Sequence, residues 1–128
     1  MSSEQLNLFN RWITKIDGRF LYLNGQVRQI EYNNGNKVWL NENGLYYRKD
    51  GPAIIWKEGN KYWYQGTSGA LHREDGPAVE YPDGEKCWYL NDIRLTEEEF
   101  NIRIERDRVI KRDKNRRADL LYLSNKGT

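Results

Sequence analysis

Apolar and polar positions follow two different periods along this chain. In residues 3–16, Leu6, Phe9, Ile13 and Ile16 recur at helical spacing with Trp12 beside them, and Ser3 can cap the segment. A short amphipathic helix is predicted there. From residue 17 to residue 93 the pattern changes to short runs of β-branched and aromatic residues, punctuated by Gly-containing dipeptides, which reads as strands joined by turns. Helical signals return at Thr96-Glu97-Glu98-Glu99, a capping box with acids in the first turn. Phe100 and Ile104 then share a face, with Ile102, Val109 and Ile110 on neighbouring positions, so a helix is predicted over 96–117. Residues 118–128 form a tail in which Asp119–Ser124 fits either a helix extension or an edge strand.

The strand region is written three times. Ile30 to Trp39, Ile54 to Trp63 and Val79 to Trp88 align, and their glycines (35, 59, 84) and tryptophans (39, 63, 88) are spaced 24 and then 25 residues apart. A period of this size marks stacked supersecondary units sharing a core between neighbours. Asn34-Gly35, Glu58-Gly59 and Asp83-Gly84 sit at the loop of each unit. Asn-Gly and Asp-Gly favour a two-residue type I′ turn, for which Glu58 is a weaker choice, so the middle turn is expected to be looser. Counting outwards from such turns sets Tyr32 opposite Lys37, Trp56 opposite Lys61 and Tyr81 opposite Lys86. One step further out, Ile30 faces Trp39, Ile54 faces Trp63 and Val79 faces Trp88. Each unit would then show one patch of aliphatic, ring, lysine and tryptophan, with the lysine stem along the ring. Glu31, Val38, Leu40, Ile55, Tyr62, Tyr64, Glu80, Cys87 and Tyr89 would occupy the other face. That mixed face suits either recognition or packing beneath the terminal helices.

The linkers repeat as well: Tyr47-Arg48-Lys49-Asp50-Gly51-Pro52-Ala53 matches His72-Arg73-Glu74-Asp75-Gly76-Pro77-Ala78. Asp-Gly-Pro punctuates the chain before a strand. The equivalent Arg48 and Arg73 are placed to bridge to Asp50 and Asp75 or to nearby carbonyls. Asp17 to Gly25 looks like half a hairpin capping the array, with Asn24-Gly25 turning it into the first full unit. The expected fold is therefore mainly β (α+β): an antiparallel β-meander of repeated hairpins, with N- and C-terminal helices packed on or beside it, in a single domain spanning 1–128.

Composition narrows the chemistry. Aromatics make up 13% of the chain while mean hydropathy is −0.99, which suits a thin, ring-rich sheet better than a thick aliphatic core. A formal charge of +2 supports neither a nucleic-acid mimic nor a strongly basic binder. The lone Cys87 excludes an intrachain disulfide and favours a reducing, cytoplasmic compartment. No signal peptide or membrane span is expected. One histidine and one cysteine assemble no Cys/His metal set, and the glycines serve hairpin turns rather than a phosphate loop, so no cofactor, metal or catalytic residue is assigned. His72 aligns with Tyr47, and Cys87 with Val38 and Tyr62, which reads as structural use of both.

The Asp-Gly-Pro-Ala units, with Leu71-His72-Arg73 ahead and Asp83-Gly84 and Trp88-Tyr89-Leu90-Asn91 behind, resemble a tandem repeat of tailed phages and large DNA viruses, itself loosely similar to MORN hairpins. The resemblance covers about residues 47–93, or from about 17 if the degenerate first unit counts. That first unit departs from it, with Gln26-Val27-Arg28-Gln29 in place of Asp-Gly-Pro-Ala. The following Thr96-Glu97-Glu98-Glu99-Phe100 is similar to the helix into which the phage repeat often runs. The resemblance implies a β-meander and a small phage-encoded accessory protein, acting in the host cytoplasm; it implies no activity.

The leading expectation is a non-enzymatic interaction module that binds and inhibits or redirects a host or defence protein. Its contact surface is expected at Tyr46, Tyr47, Tyr62, Tyr64 and Tyr89, rimmed by Arg48 and Arg73, because Tyr, Trp and Arg dominate binding hot spots. A double Tyr62/Tyr64 to Ala change is expected to leave the fold intact. The alternative is nucleic-acid or nucleotide binding through Arg103, Arg106, Lys111, Arg112, Lys114, Arg116 and Arg117 together with stacked rings of the sheet. Residues 101–117 hold eight bases against three acids, and the interspersed acids weaken that reading. A homo-oligomeric structural subunit joined by the helix or an edge strand is the third possibility.

Overall fold

The computed structural model describes residues 18–126, so the helix expected over 3–16 lies outside the described residues. Eight strands run in order β1 (Gly18–Leu23), β2 (Gln26–Tyr32), β3 (Lys37–Trp39), β4 (Ile54–Ile55), β5 (Lys61–Tyr62), β6 (Val79–Glu80), β7 (Lys86–Leu90) and β8 (Ile93–Leu95). Each pairs antiparallel with the next in one meandering sheet. The β-meander with a C-terminal helix is the expected architecture.

The hairpin turns differ from expectation, and the difference reorganises both faces. In the first unit the Tyr32 N–H donates to the Asn36 carbonyl (2.8 Å) and the Gly35 N–H to the Tyr32 carbonyl (3.0 Å). Trp56/Asn60 and Tyr81/Glu85 repeat this pattern. Each loop therefore holds three residues, not two. A type I′ turn needs positive φ at both central residues, yet only Gly35, Gly59 and Gly84 have it here, at 98°, 104° and 92°. This is a type I turn closed by a left-handed glycine. Such a turn asks nothing special of Glu58, and the middle loop closes with the same two backbone bonds as its neighbours, both at 2.9 Å, so its backbone is not looser. Asn34 and Asp83 add side-chain bonds to the N–H groups of Asn36 (3.0 Å) and Glu85 (2.9 Å). A two-residue turn does form at Asn24-Gly25, as expected, and another at Asn91-Asp92, where φ is 51° and 66°.

One extra loop residue slips each register by one and exchanges the faces. Ile30 pairs with Val38, Ile54 with Tyr62 and Val79 with Cys87, while Gln29 faces Trp39 and Glu31 faces Lys37. The aliphatic, ring, lysine and tryptophan patch is thus divided. One face carries Ile30, Val38, Ile54, Val79 and Cys87, all buried. Phe20, Tyr32, Leu40, Trp56, Tyr62 and Tyr64 pack against the Val27–Ile30–Val38–Ile54 cluster. Trp39, Trp63 and Trp88 share the opposite face with the lysines. The three indoles do point to a common side, but away from the aliphatic residues with which they were paired.

Between units the chain makes a second, smaller hairpin and then an arch. Leu40 bridges Tyr46 and Tyr64 bridges Leu71. The Arg48–Pro52 and Arg73–Pro77 segments then leave the sheet and return at Ala53 and Ala78, both fully buried. There the Trp39 and Trp63 N–H groups donate to the Ala53 and Ala78 carbonyls, each at 2.8 Å.

The C-terminal helix spans Glu97–Lys126, so the segment left open between helix and strand is helical. Thr96 caps it reciprocally with Glu99, both bonds at 3.1 Å. It meets only β7 and β8 among the described strands, burying Phe100 and half-burying Ile104. Beyond Val109 every described side chain is exposed.

Gly84→Ala is expected to destabilise the fold by about 1–2 kcal/mol, because its φ suits only glycine. Gly35→Ala should cost more, since its added methyl would also meet the Lys57 Cβ at 3.2 Å whereas nothing lies near Gly84. Urea denaturation of the two variants checks the ranking.

Candidate interaction surface

On the indole face each linker arch returns an arginine to its own tryptophan. The Arg48 guanidinium carbon lies 4.1 Å from the Trp39 ring centre, and that of Arg73 lies 4.0 Å from Trp63. These cation–π contacts replace the lysine–ring contacts expected from the two-residue register. Arg73 is further held by Asp75 (2.9 Å), the Pro77 carbonyl (3.0 Å) and Glu80 (3.3 Å). The expected Arg73–Asp75 bridge is therefore present. Both arginines, expected at the rim of a contact surface, sit folded against the sheet and half-buried.

The tyrosines divide between roles. Tyr62 and Tyr64 pack against the buried cluster, so alanine at both would remove core contacts and the expectation that the fold survives is not supported. Tyr64 also meets the exposed Tyr46, with ring centres 5.6 Å apart, joining the first unit to the second. Burial, with the nearby Tyr46, Tyr62 and Asp92, raises the Tyr64 pKa above the ordinary 10.0. Tyr32 and Tyr81 are raised too, chiefly by burial. Tyr47 lies flat on Gly66, where an added Cβ would come within 2.9 Å of the ring. Its counterpart His72 takes the same inter-unit position: Nδ1 accepts the Asn91 N–H at 3.1 Å, with Nε2 3.5 Å from Glu74. Tyr89 is half-buried and accepts the Arg73 N–H at its carbonyl. Of the five tyrosines expected to make contacts, Tyr46 and Tyr47 are the two that are exposed.

The helix places its basic residues on an exposed rod. Arg103 pairs with Asp107 (3.4 Å) within the helix, as Arg108 does with Glu105 (3.3 Å). Arg106, Lys111, Arg112, Lys114, Arg116 and Arg117 are exposed and make no ion pair among the described residues. At the far end Leu120, Leu121, Tyr122 and Leu123 are 59–65% exposed. Four consecutive positions advance about 100° each, so these residues ring the helix rather than mark one face. On β1, Leu21, Tyr22 and Leu23 are exposed as well. The apolar ring was not singled out from sequence, although its four adjacent apolar residues were visible.

Among the described residues no helix is long and apolar enough to cross a membrane. Comparison with protein-family profiles, curated protein sequences and solved structures returns no match.

Arg73→Ala is expected to destabilise the fold by about 2 kcal/mol, as it frees Glu80 and uncovers Trp63. Arg48→Ala, losing the ring contact alone, should cost about 1 kcal/mol. Parallel thermal melts with tryptophan emission check both.

Proposed function

We propose that the chain is a non-enzymatic protein-interaction module. The observation that carries this reading is the ring of exposed apolar side chains at Leu120–Leu123, about 20 Å along the helix axis beyond Val109, the last half-buried residue among the described side chains of the helix. Exposed contiguous apolar surface of this kind marks contact sites, since leaving it in water gains nothing for the fold. Exposed Tyr46 and Tyr47 and the β1 residues Leu21–Leu23 offer further contact area. The biological setting, a phage-encoded accessory protein that binds and inhibits or redirects a host or defence protein in the host cytoplasm, is supported by the resemblance of the Asp-Gly-Pro-Ala units alone.

A second reading is favoured by the six exposed, unpaired bases of the helix, which suit nucleic-acid phosphates. Asp113 and Asp119 interrupt them, so it stands behind the first.

The test is a pull-down from host extract with the full chain and with a Leu120→Glu/Leu123→Glu variant, read by mass spectrometry. A specific protein held by the parent and lost by the still-folded variant is expected. Retention of the same protein by the variant contradicts the role of the helix end. Binding to a nucleic-acid column that collapses with salt, with no protein captured, would favour the second reading.

A further inference from the structure

The repeat array stops before its third unit is complete. In the first two units the strand bearing lysine is covered on its far edge: β4 pairs with Lys37–Val38, and β6 with Lys61–Tyr62. An arginine from the intervening arch then covers the tryptophan. In the third unit β8 pairs only with Trp88–Leu90, and the chain turns into the helix at Thr96. Lys86 and Cys87 thus have a strand on one side only, among the described residues, and no cation stacks on Trp88. What occupies this place is a cleft of about 370 Å³, lined by residues including Lys86, Trp88, Arg94, Leu95, Glu97 and Glu99.

We propose that this cleft is a docking slot for an extended arginine-bearing segment of a partner protein, which supplies the arch and strand that a fourth unit would have supplied. The inference rests on the interaction reading but concerns a different surface. The protein's own chain defines the ligand chemistry. In both internal precedents the arginine precedes by six residues the β-branched residue that pairs with the sheet: Arg48 before Ile54, and Arg73 before Val79. The segment should therefore carry Arg, five intervening residues, then Ile or Val, entering by strand addition. Its guanidinium would lie on the Trp88 indole.

The charges present fit that occupant. In the second unit the acids on Arg73, Asp75 and Glu80, belong to the arginine's own arch and strand, whereas here Glu97 and Glu99 line the receiving cleft itself and add negative charge where the guanidinium would lie. Glu99 already accepts the Thr96 hydroxyl, which leaves Glu97 as the open carboxylate. Lys86 does not oppose the occupant, because its counterparts Lys37 and Lys61 coexist with Arg48 and Arg73. Arg94 lies in the cleft on β8 but does not cover the ring.

The probe is a fluorescent peptide copying residues 70–81, the chain's own second linker, titrated into the full protein and followed by anisotropy. Saturable binding is expected, weakened about tenfold when the peptide carries Arg73→Ala or the protein carries Glu97→Lys, an exposed position whose folding is checked by circular dichroism. No binding by folded protein at about 1 mM peptide, or equal binding by either variant, overturns the slot. A molecular mass that rises with protein concentration, and that Glu97→Lys abolishes, would assign the slot to a second copy and overturn the partner proposal. Partner capture by the helix end that survives Glu97→Lys, with no peptide binding, would remove the slot and leave the interaction reading standing.

Discussion

The two faces of the repeated hairpins are decided by one left-handed glycine, Gly35, Gly59 or Gly84, at the end of each three-residue loop. Because side chains alternate, a loop of three residues rather than two transfers an entire strand's contacts to the other side. With three, the small apolar residues of both strands meet and are buried together, Ile30 with Val38 and Val79 with Cys87. With two, each would have faced an indole, and the lysines would have lain on the rings. The buried arrangement gains more, since full burial of an aliphatic side chain is worth roughly 1.5–3 kcal/mol and an exposed cation–π contact about 0.5–1 kcal/mol.

Freeing the indoles from the buried face gives the linkers their purpose. Each arch leaves the sheet carrying an arginine, lays it on the tryptophan of the preceding strand, and rejoins at a fully buried alanine. The arches lock successive units together, helped by Tyr46 on Tyr64, Tyr47 on Gly66 and His72 on Asn91. Stability is thus passed between nearest neighbours along the array, as in other repeat architectures. The same economy exposes the last unit, where no arch follows and the helix covers only part of the edge.

Much of the architecture was legible in the residues. The period of 24–25, the turn glycines, the Asn24-Gly25 turn and the Thr96 capping box each have a local physical cause, and each lies where it was expected. The register was not read correctly, because Asx-Gly serves both loop lengths. Tyr81-Pro82-Asp83-Gly84 carried the deciding cue: proline suits the first central position of a type I turn, which puts Gly84 in the left-handed place. The helix end was obscured by the polar stretch 111–117, although no Gly or Pro occurs between Pro82 and Gly127 except Gly84. The contact residues were the least legible. Composition singled out tyrosines for recognition, but it does not tell a ring that packs beneath a sheet, such as Tyr62, from one that lies open, such as Tyr46.

The register is open to direct observation by nuclear Overhauser contacts between α-protons in isotope-labelled protein. Close cross-strand contacts are predicted for Glu31 with Lys37 and for Gln29 with Trp39. Contacts joining Tyr32 to Lys37 and Ile30 to Trp39 instead would return the indoles to the aliphatic face and contradict the account.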